Sequence, residues 1–264
     1  MTRPILHSSL PNPPWIDPMR WKLPGVHPLP LEDWLIRDEV FAEQMALRDE
    51  LIASRWDQVH ALLPAARAAA EECYDLVLDA LRSDNGYRWT SRSVTRPDGV
   101  TVPLNRDAPL LTLGRLTQSD LCLLADGPDG HVLTGAILCF PAYWKLAEKI
   151  GRAMPRIHKP VPEYDENVGR RVQRLFDAVR PGQLLCRSNA NLHATPDLFT
   201  PKPEDMPEHR VAPDKAGFVR SERQVIRKLP ETGSTVFSIH TYMVPIGHLD
   251  PKARASLSAL AHDT

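Results

Sequence analysis

The sequence has no Cys-x-x-Cys pair, no glycine-rich phosphate loop and no apolar run approaching the length of a membrane span. Four scattered cysteines, Cys73, Cys122, Cys139 and Cys186, exclude a zinc ribbon and a CxxCH site for covalent haem. Three of them sit in apolar, strand-like contexts, where an inert buried thiol is expected. Neither GxGxxG nor GxxxxGK[ST] occurs, so the chain is not expected to bind NAD or ATP itself. HExxH, GxSxG and an EF-hand loop are absent too. Charge of one sign is not in surplus: 32 Lys and Arg against 33 Asp and Glu leave a net charge of −1. That removes the basic footprint that nucleic-acid binding needs. The N-terminal MTRPILHSSLPNPPW has no signal-peptide core, so no membrane partner and a cytoplasmic location are expected.

Proline is abundant, and much of it lies in residues 1–35. Each proline removes a donor and fixes φ, so this segment is expected to wrap over the fold without a helix or central strand. Trp15, Trp21 and Trp34 are its candidate anchors, and its first dozen residues are expected to be disordered. Residues 36–85 read as a helical layer. Val40, Phe41, Met45, Leu47, Leu51 and Ile52 recur at helical spacing, and a second stripe runs through Trp56–Leu81 with Pro64 as a kink or a new start. Asp84-Asn85-Gly86 stops it.

From Tyr87 the pattern turns to strands over a core spanning 86–245. Leu110–Thr117 and Leu121–Ala125 are short apolar runs read as strands, and DGPDG (126–130) joins the second to His131–Phe140 as a hairpin. Ala142–Ile150 reads as a short helix stopped at Gly151, and Asp165–Val179 as an amphipathic one. A last hairpin joins Phe218–Leu229 to Ser234–Val244. Residues 246–264 are expected to be a peripheral tail. Hairpins rather than alternating βα units give an α+β fold: an N-terminal helical layer on an antiparallel sheet with short interspersed helices.

Three groups of residues could carry chemistry. His158 lies in Ile157-His158-Lys159-Pro160-Val161-Pro162, where the two prolines stiffen the backbone. It is either a metal ligand or an ordinary surface histidine. The strand Arg220-Ser221-Glu222-Arg223-Gln224 puts an ionisable group on each face. Such a group serves either a site or a solvated surface. His240 and Tyr242, on the partner strand, could line the same space. Tyr164, flanked by Glu163 and Asp165, opens the amphipathic helix, where the acidic residues suit its dipole.

The order of motifs adds a resemblance. Gly114-Arg115-Leu116-Thr117-Gln118-Ser119-Asp120-Leu121-Cys122-Leu123-Leu124 looks like GRL-x-Q-x-DLCLL. Leu133-Thr134-Gly135, Cys139-Phe140-Pro141 and Trp144 through Gly151 follow as LTG, CFP and W-x-LAEKIG, then IHxPVP at 157–162 and ERQ at 222–224. Trp21–Val26 and Gln44-Met45 fit upstream. Together they resemble the haem-binding α-subunit of the haem-dependent oxidative N-demethylase family, over about residues 20–245. The resemblance implies a PAS-like core, non-covalent haem b, and a mono-oxygenase that demethylates a small secondary or methylated amine with release of formaldehyde. It also implies a separate flavin/NAD(P)H reductase subunit and a folate-binding subunit as partners. It puts His158 on the iron, with His240 as the alternative. Arg223 would contact bound oxygen or a propionate, and Glu222 would orient Arg223 or attract an ammonium. Tyr164 becomes a distal candidate and Arg115 a propionate partner. The chain departs from the family at Asn189-Ala190, where Asn-Trp is usual, at Gly135-Ala136, where Gly-Gly is usual, and at Val225-Ile226, where ERQ is usually followed by Thr-Leu. If the absent Trp lines the pocket, the substrate is larger than dimethylamine, or the haem site is altered. A haem-binding PAS-type sensor or carrier without turnover, and a haem-free interaction subunit, are the alternatives.

Overall fold

Ten strands and a set of mostly short helices make up the computed structural model, which describes residues 3–158, 166–206, 211–258 and 260. In chain order the strands are β1 (His27–Leu29), β2 (His60–Leu62), β3 (Arg88–Trp89), β4 (Ser93–Thr95), β5 (Thr101–Pro103), β6 (Asp120–Ala125), β7 (Val132–Ile137), β8 (Leu184–His193), β9 (Phe218–Lys228) and β10 (Thr235–Pro245). The helices are α1 (Pro18–Trp21), α2 (Phe41–Ser54), α3 (Trp56–Val59), α4 (Arg67–Leu81), α5 (Pro109–Gly114), α6 (Leu146–Lys149), α7 (Met154–Ile157), α8 (Glu166–Ala178) and α9 (Pro251–Ala255). A seven-stranded sheet in the order β1-β8-β9-β10-β6-β7-β2 is antiparallel at every pairing, and β3, β4 and β5 form a small second sheet. The fold is α+β, and both expected hairpins, β6–β7 and β9–β10, form.

Period-two alternation gives the large sheet two different coverings. On one face Leu121, Leu123, Ile137, Leu184, Cys186, Val225 and Val236 meet Phe41, Met45 and Leu51 of α2, Ala70, Cys73 and Val77 of α4, and Leu110 and Leu113 of α5. On the other, Cys122, Leu124, Leu133, Ala136, Ile226 and Ile239 meet Leu146 of α6 and Phe176 of α8, with Ile157 of α7 against them. The buried thiols behave as small hydrophobes: burial pushes Cys73 and Cys139 up to about 12.

Several elements differ from the sequence reading. Leu110–Thr117 contains helix α5, not a strand: Pro109 occupies its first turn, and Leu110, Leu113 and Leu116 bury at helical spacing. A Cβ at Gly114 would stand 2.4 Å from Ile137 Cγ1, so the missing side chain lets α5 lie directly on β7. The run 56–81 is not one helix, because β2 interrupts it and Pro64 then begins a 3-10 turn before α4. Strand β8 lies in a segment to which the sequence reading gave no element.

The proline-rich segment holds α1, with Pro18 at its start, and β1, whose Pro28 is tolerated because β1 is an edge strand. Its beginning is ordered: the His7 backbone N–H donates to Met243 O at 2.8 Å. The residues after 245 are not all peripheral. Trp15 Nε1 donates to Ala253 O at 3.0 Å, and Leu249, Ala253 and Leu260 are buried in one cluster with Trp15.

Candidate functional site

Strands β8 and β9 pair Arg187 with Gln224 and Asn189 with Glu222, so these four side chains rise from one face of the sheet. They form a continuous polar network. Arg187 Nη1 donates to Gln224 Oε1 at 3.0 Å, and Gln224 Nε2 donates to Glu222 Oε2 at 3.1 Å. Asn189 Nδ2 donates to the same oxygen at 3.1 Å and takes the Glu222 backbone N–H on its own carbonyl at 3.0 Å. Glu222 Oε1 accepts from Arg220 Nη2 at 3.1 Å, and Arg220, itself buried, reaches the carbonyls of Phe140 and Leu198. The Glu222 charge is thus answered by Arg220.

Arg187 is not answered in this way. Among the described residues no carboxylate lies within ion-pair distance of it, and its Nε is buried without a hydrogen-bond partner. Burial holds its pKa below the usual arginine value, against the opposing field of Glu222. A half-buried guanidinium whose Nε is buried without a partner offers a donor that an anion could meet.

His158 caps α7 on this same side, after Ile157, which packs into the cluster of Cys122, Ile226 and Ile239. Its Nδ1 lies 3.0 Å from Met154 O. A carbonyl only accepts, so Nδ1 carries the proton and the neutral ring keeps its lone pair on Nε2. Burial lowers the His158 pKa, and the charges of Lys149 and Arg187 lower it further, so the ring is neutral at pH 7. Arg187 rises from the same sheet face that Ile157 and α7 cover. Pro160, Pro162 and Tyr164 lie outside the described residues.

The other predicted residues are elsewhere. Arg223 alternates with Glu222 onto the opposite face, where its Nη1 and Nη2 donate to Trp34 O at 3.0 Å and Asp33 O at 2.5 Å. Glu222 therefore orients Arg220 rather than Arg223, because neighbouring residues of a strand point to opposite faces. Arg115 caps α5 and pairs with Asp49 of α2 at 2.9 Å, away from the polar strand face. His240 is on the Arg223 face, with Nε2 2.8 Å from Asp38 Oδ2, and His7 Nε2 lies at 2.8 Å from the same oxygen. His7 Nδ1 accepts the Met243 N–H at 3.1 Å, which leaves the His7 proton on Nε2. This arrangement is a hydrogen-bonded triad that engages both Nε2 atoms, although the three residues have metal-ligand types and spacing.

Ala190, where the resemblance implies Trp, is fully buried on the Arg223 face, in the cluster with Trp15 and Leu192. Alternation puts Asn189 on the sheet face that α7 covers and residue 190 on the other. Sequence reasoning missed Arg187 and Asn189 because β8 was not assigned. The signal was present, since Arg187, Asn189 and Asn191 alternate with Cys186, Ser188, Ala190 and Leu192.

A neutral imidazole whose Nδ1 carries the proton, on the same sheet face as a half-buried guanidinium with no carboxylate partner among the described residues, suits a cofactor that presents both a metal and carboxylate groups. Haem is such a cofactor, so the residues fit the group that the motifs imply. No helix among the described residues is long and apolar enough to cross a membrane. Residues 25–262 match the sequence model of a family described as haem-dependent oxidative N-demethylase, alpha subunit-like. That match spans nearly the whole chain and carries haem dependence and a subunit role at the level of the family. The chain belongs to the haem-dependent oxidative N-demethylase, alpha subunit-like family.

Proposed function

We propose that this protein is the haem-binding subunit of a mono-oxygenase that oxidatively demethylates a small secondary or methylated amine, with release of formaldehyde. The observation that carries the reading is His158, half-buried and held neutral with Nδ1 on Met154 O, over the sheet face from which Arg187 rises with no carboxylate partner among the described residues. His158 Nε2 would bind the iron of non-covalent haem b, and Arg187 would meet a haem carboxylate. The antiparallel sheet with α6, α7 and α8 laid over this face would be the PAS-like haem core. When bound, haem supplies oxygen activation, which no side chain of the chain provides.

The rest of the work falls to the chain's own residues. Glu222 keeps a carboxylate on the same strand face, held by Arg220, Asn189 and Gln224, where its oxygens would accept a hydrogen bond from a substrate ammonium. Leu185, Phe237 and Ile239 give the face an apolar surround that limits water. With no nucleotide-binding motif in the sequence, electrons would come from a separate flavin/NAD(P)H reductase subunit, and a folate-binding subunit would take the formaldehyde. The location consistent with this is the cytoplasm.

The test is reconstitution of the full chain with haem, followed by assay with a reductase, NAD(P)H and dimethylamine. A Soret band together with formaldehyde release is expected. No Soret band would sink the proposal outright, and a Soret band without formaldehyde from any small methylated amine would make the protein a carrier or sensor.

A further inference from the structure

The face of the sheet turned away from His158 contains a cavity of about 190 Å³ between the proline-rich segment and the strands. Its floor is built from alternate residues of four adjacent strands: His27 of β1, Cys186 and Ser188 of β8, Ser221 and Arg223 of β9, and Tyr242 of β10. Arg20 of α1 closes it from above, with Pro11, Asn12 and Pro14. Two arginines and a histidine line this space, and among the described residues no aspartate or glutamate does. The nearest carboxylate to Arg20 is Asp17, at 3.3 Å in a half-exposed pair outside the lining.

Two polar groups of the lining are not used by other described residues. His27 Nδ1 is buried without a hydrogen bond, and the Tyr242 hydroxyl makes none to a described residue, so it can serve a molecule in the cavity. Arg20, His27 and Arg223 all line this one cavity, and burial with the two guanidinium charges lowers the His27 pKa. Two backbone carbonyls take donors of Arg223, but carbonyls do not neutralise its charge.

We infer that this cavity is a binding site for a small oxyanion, a carboxylate or phosphate group, held by Arg20 and Arg223 with hydrogen bonds from His27 and Tyr242. The volume admits the anionic group of a small molecule and is too small for a large cofactor. Convergent guanidinium groups supply the paired donors that such an anion accepts.

The experiment is calorimetric titration of the full chain with inorganic phosphate and, separately, with acetate, before and after haem loading. Saturable binding of at least one probe is expected, and the tighter of the two identifies the anion class. Arg20→Gln changes a half-exposed side chain, and Tyr242→Phe keeps the ring. Each should weaken binding by about tenfold, the loss of one charge-assisted or buried hydrogen bond. Undiminished binding after haem loading supports a separate site. Loss of binding on haem loading assigns the positive charge to the haem's own carboxylates and overturns the proposal. So does the absence of saturable binding by both probes, or binding unchanged in both variants.

Discussion

Arg187 and His158 make opposite demands on the protein, and single substitutions separate them. Arg187 is half-buried, its Nε is buried without a hydrogen bond, and no carboxylate answers its charge among the described residues. Arg187→Met keeps the length and removes the charge. It should stabilise the haem-free protein by about 1 kcal/mol, because a partly desolvated ion with an unmet donor costs more than a packed thioether. The same change should weaken haem binding by roughly tenfold, since a charged hydrogen bond to a carboxylate is lost. Denaturant midpoints and Soret titration read the two effects, and a shift of both in one direction would contradict the role. His158→Ala should abolish or displace the Soret band of reconstituted protein while leaving the far-ultraviolet spectrum intact; unchanged ferric and ferrous spectra would remove His158 from the iron. Because burial lowers the His158 pKa, protons compete for Nε2 only at low pH. Acid loss of the ligand should therefore have its midpoint below about 6.5, the ordinary histidine value.

Strand alternation decided more of the site than any motif did. The triplet Glu222-Arg223-Gln224 reads as one unit in sequence, yet the pleat sends Arg223 to one face and its two neighbours to the other. The two hairpins and α8 were legible because their turn residues and periods are strong. Helix α5 was not legible, because Leu110, Leu113 and Leu116 also suit a buried strand, and only packing on β7 through Gly114 separates the two. The end of β6 is fixed by an ion pair that no pattern reveals. Asp120 meets Arg48 Nη1 at 2.6 Å and accepts the backbone N–H groups of Cys139 and Phe140, with both side chains buried. Asp120→Asn leaves the Arg48 charge uncompensated and should cost about 3–5 kcal/mol, seen as a large fall in the urea midpoint. Gly135 belongs to the same argument about elements, since a Cβ there would stand 2.8 Å from Leu62 Cδ1 on the edge strand β2. Gly135→Ala should cost no more than about 1 kcal/mol, because the Leu62 side-chain end can turn aside without moving the edge strand, and the urea midpoint reads it.

At the scale of the whole molecule, acid stability follows from where the fold puts its histidines. Burial lowers the pKa values of His27, His60, His158 and His240, so each binds a proton more weakly in the folded chain than in the unfolded one. Their contribution is therefore lost as pH falls through the unfolded value of about 6.5, and more is lost in the carboxylate range, where Asp38 and Asp84 are held low by His240, His7 and Arg37. The urea midpoint should drop between about pH 7.5 and about pH 5.5; a midpoint that rises on acidification would contradict the burial of these rings. The sequence by itself determined the α+β class, the two hairpins, the want of nucleotide and zinc motifs, and the family, because turn chemistry, periodicity and motif order are local and survive as pattern. Only the tertiary structure decided which polar residues share a face, that Arg187 shares one with His158 and lacks a carboxylate partner among the described residues, that Arg223 and His240 belong to the other side, and that the N-terminal segment roofs a basic cavity. Those facts depend on strand register and long-range burial. Residues far apart in the chain meet there, and the charge each one feels is set by what the fold excludes from its surroundings.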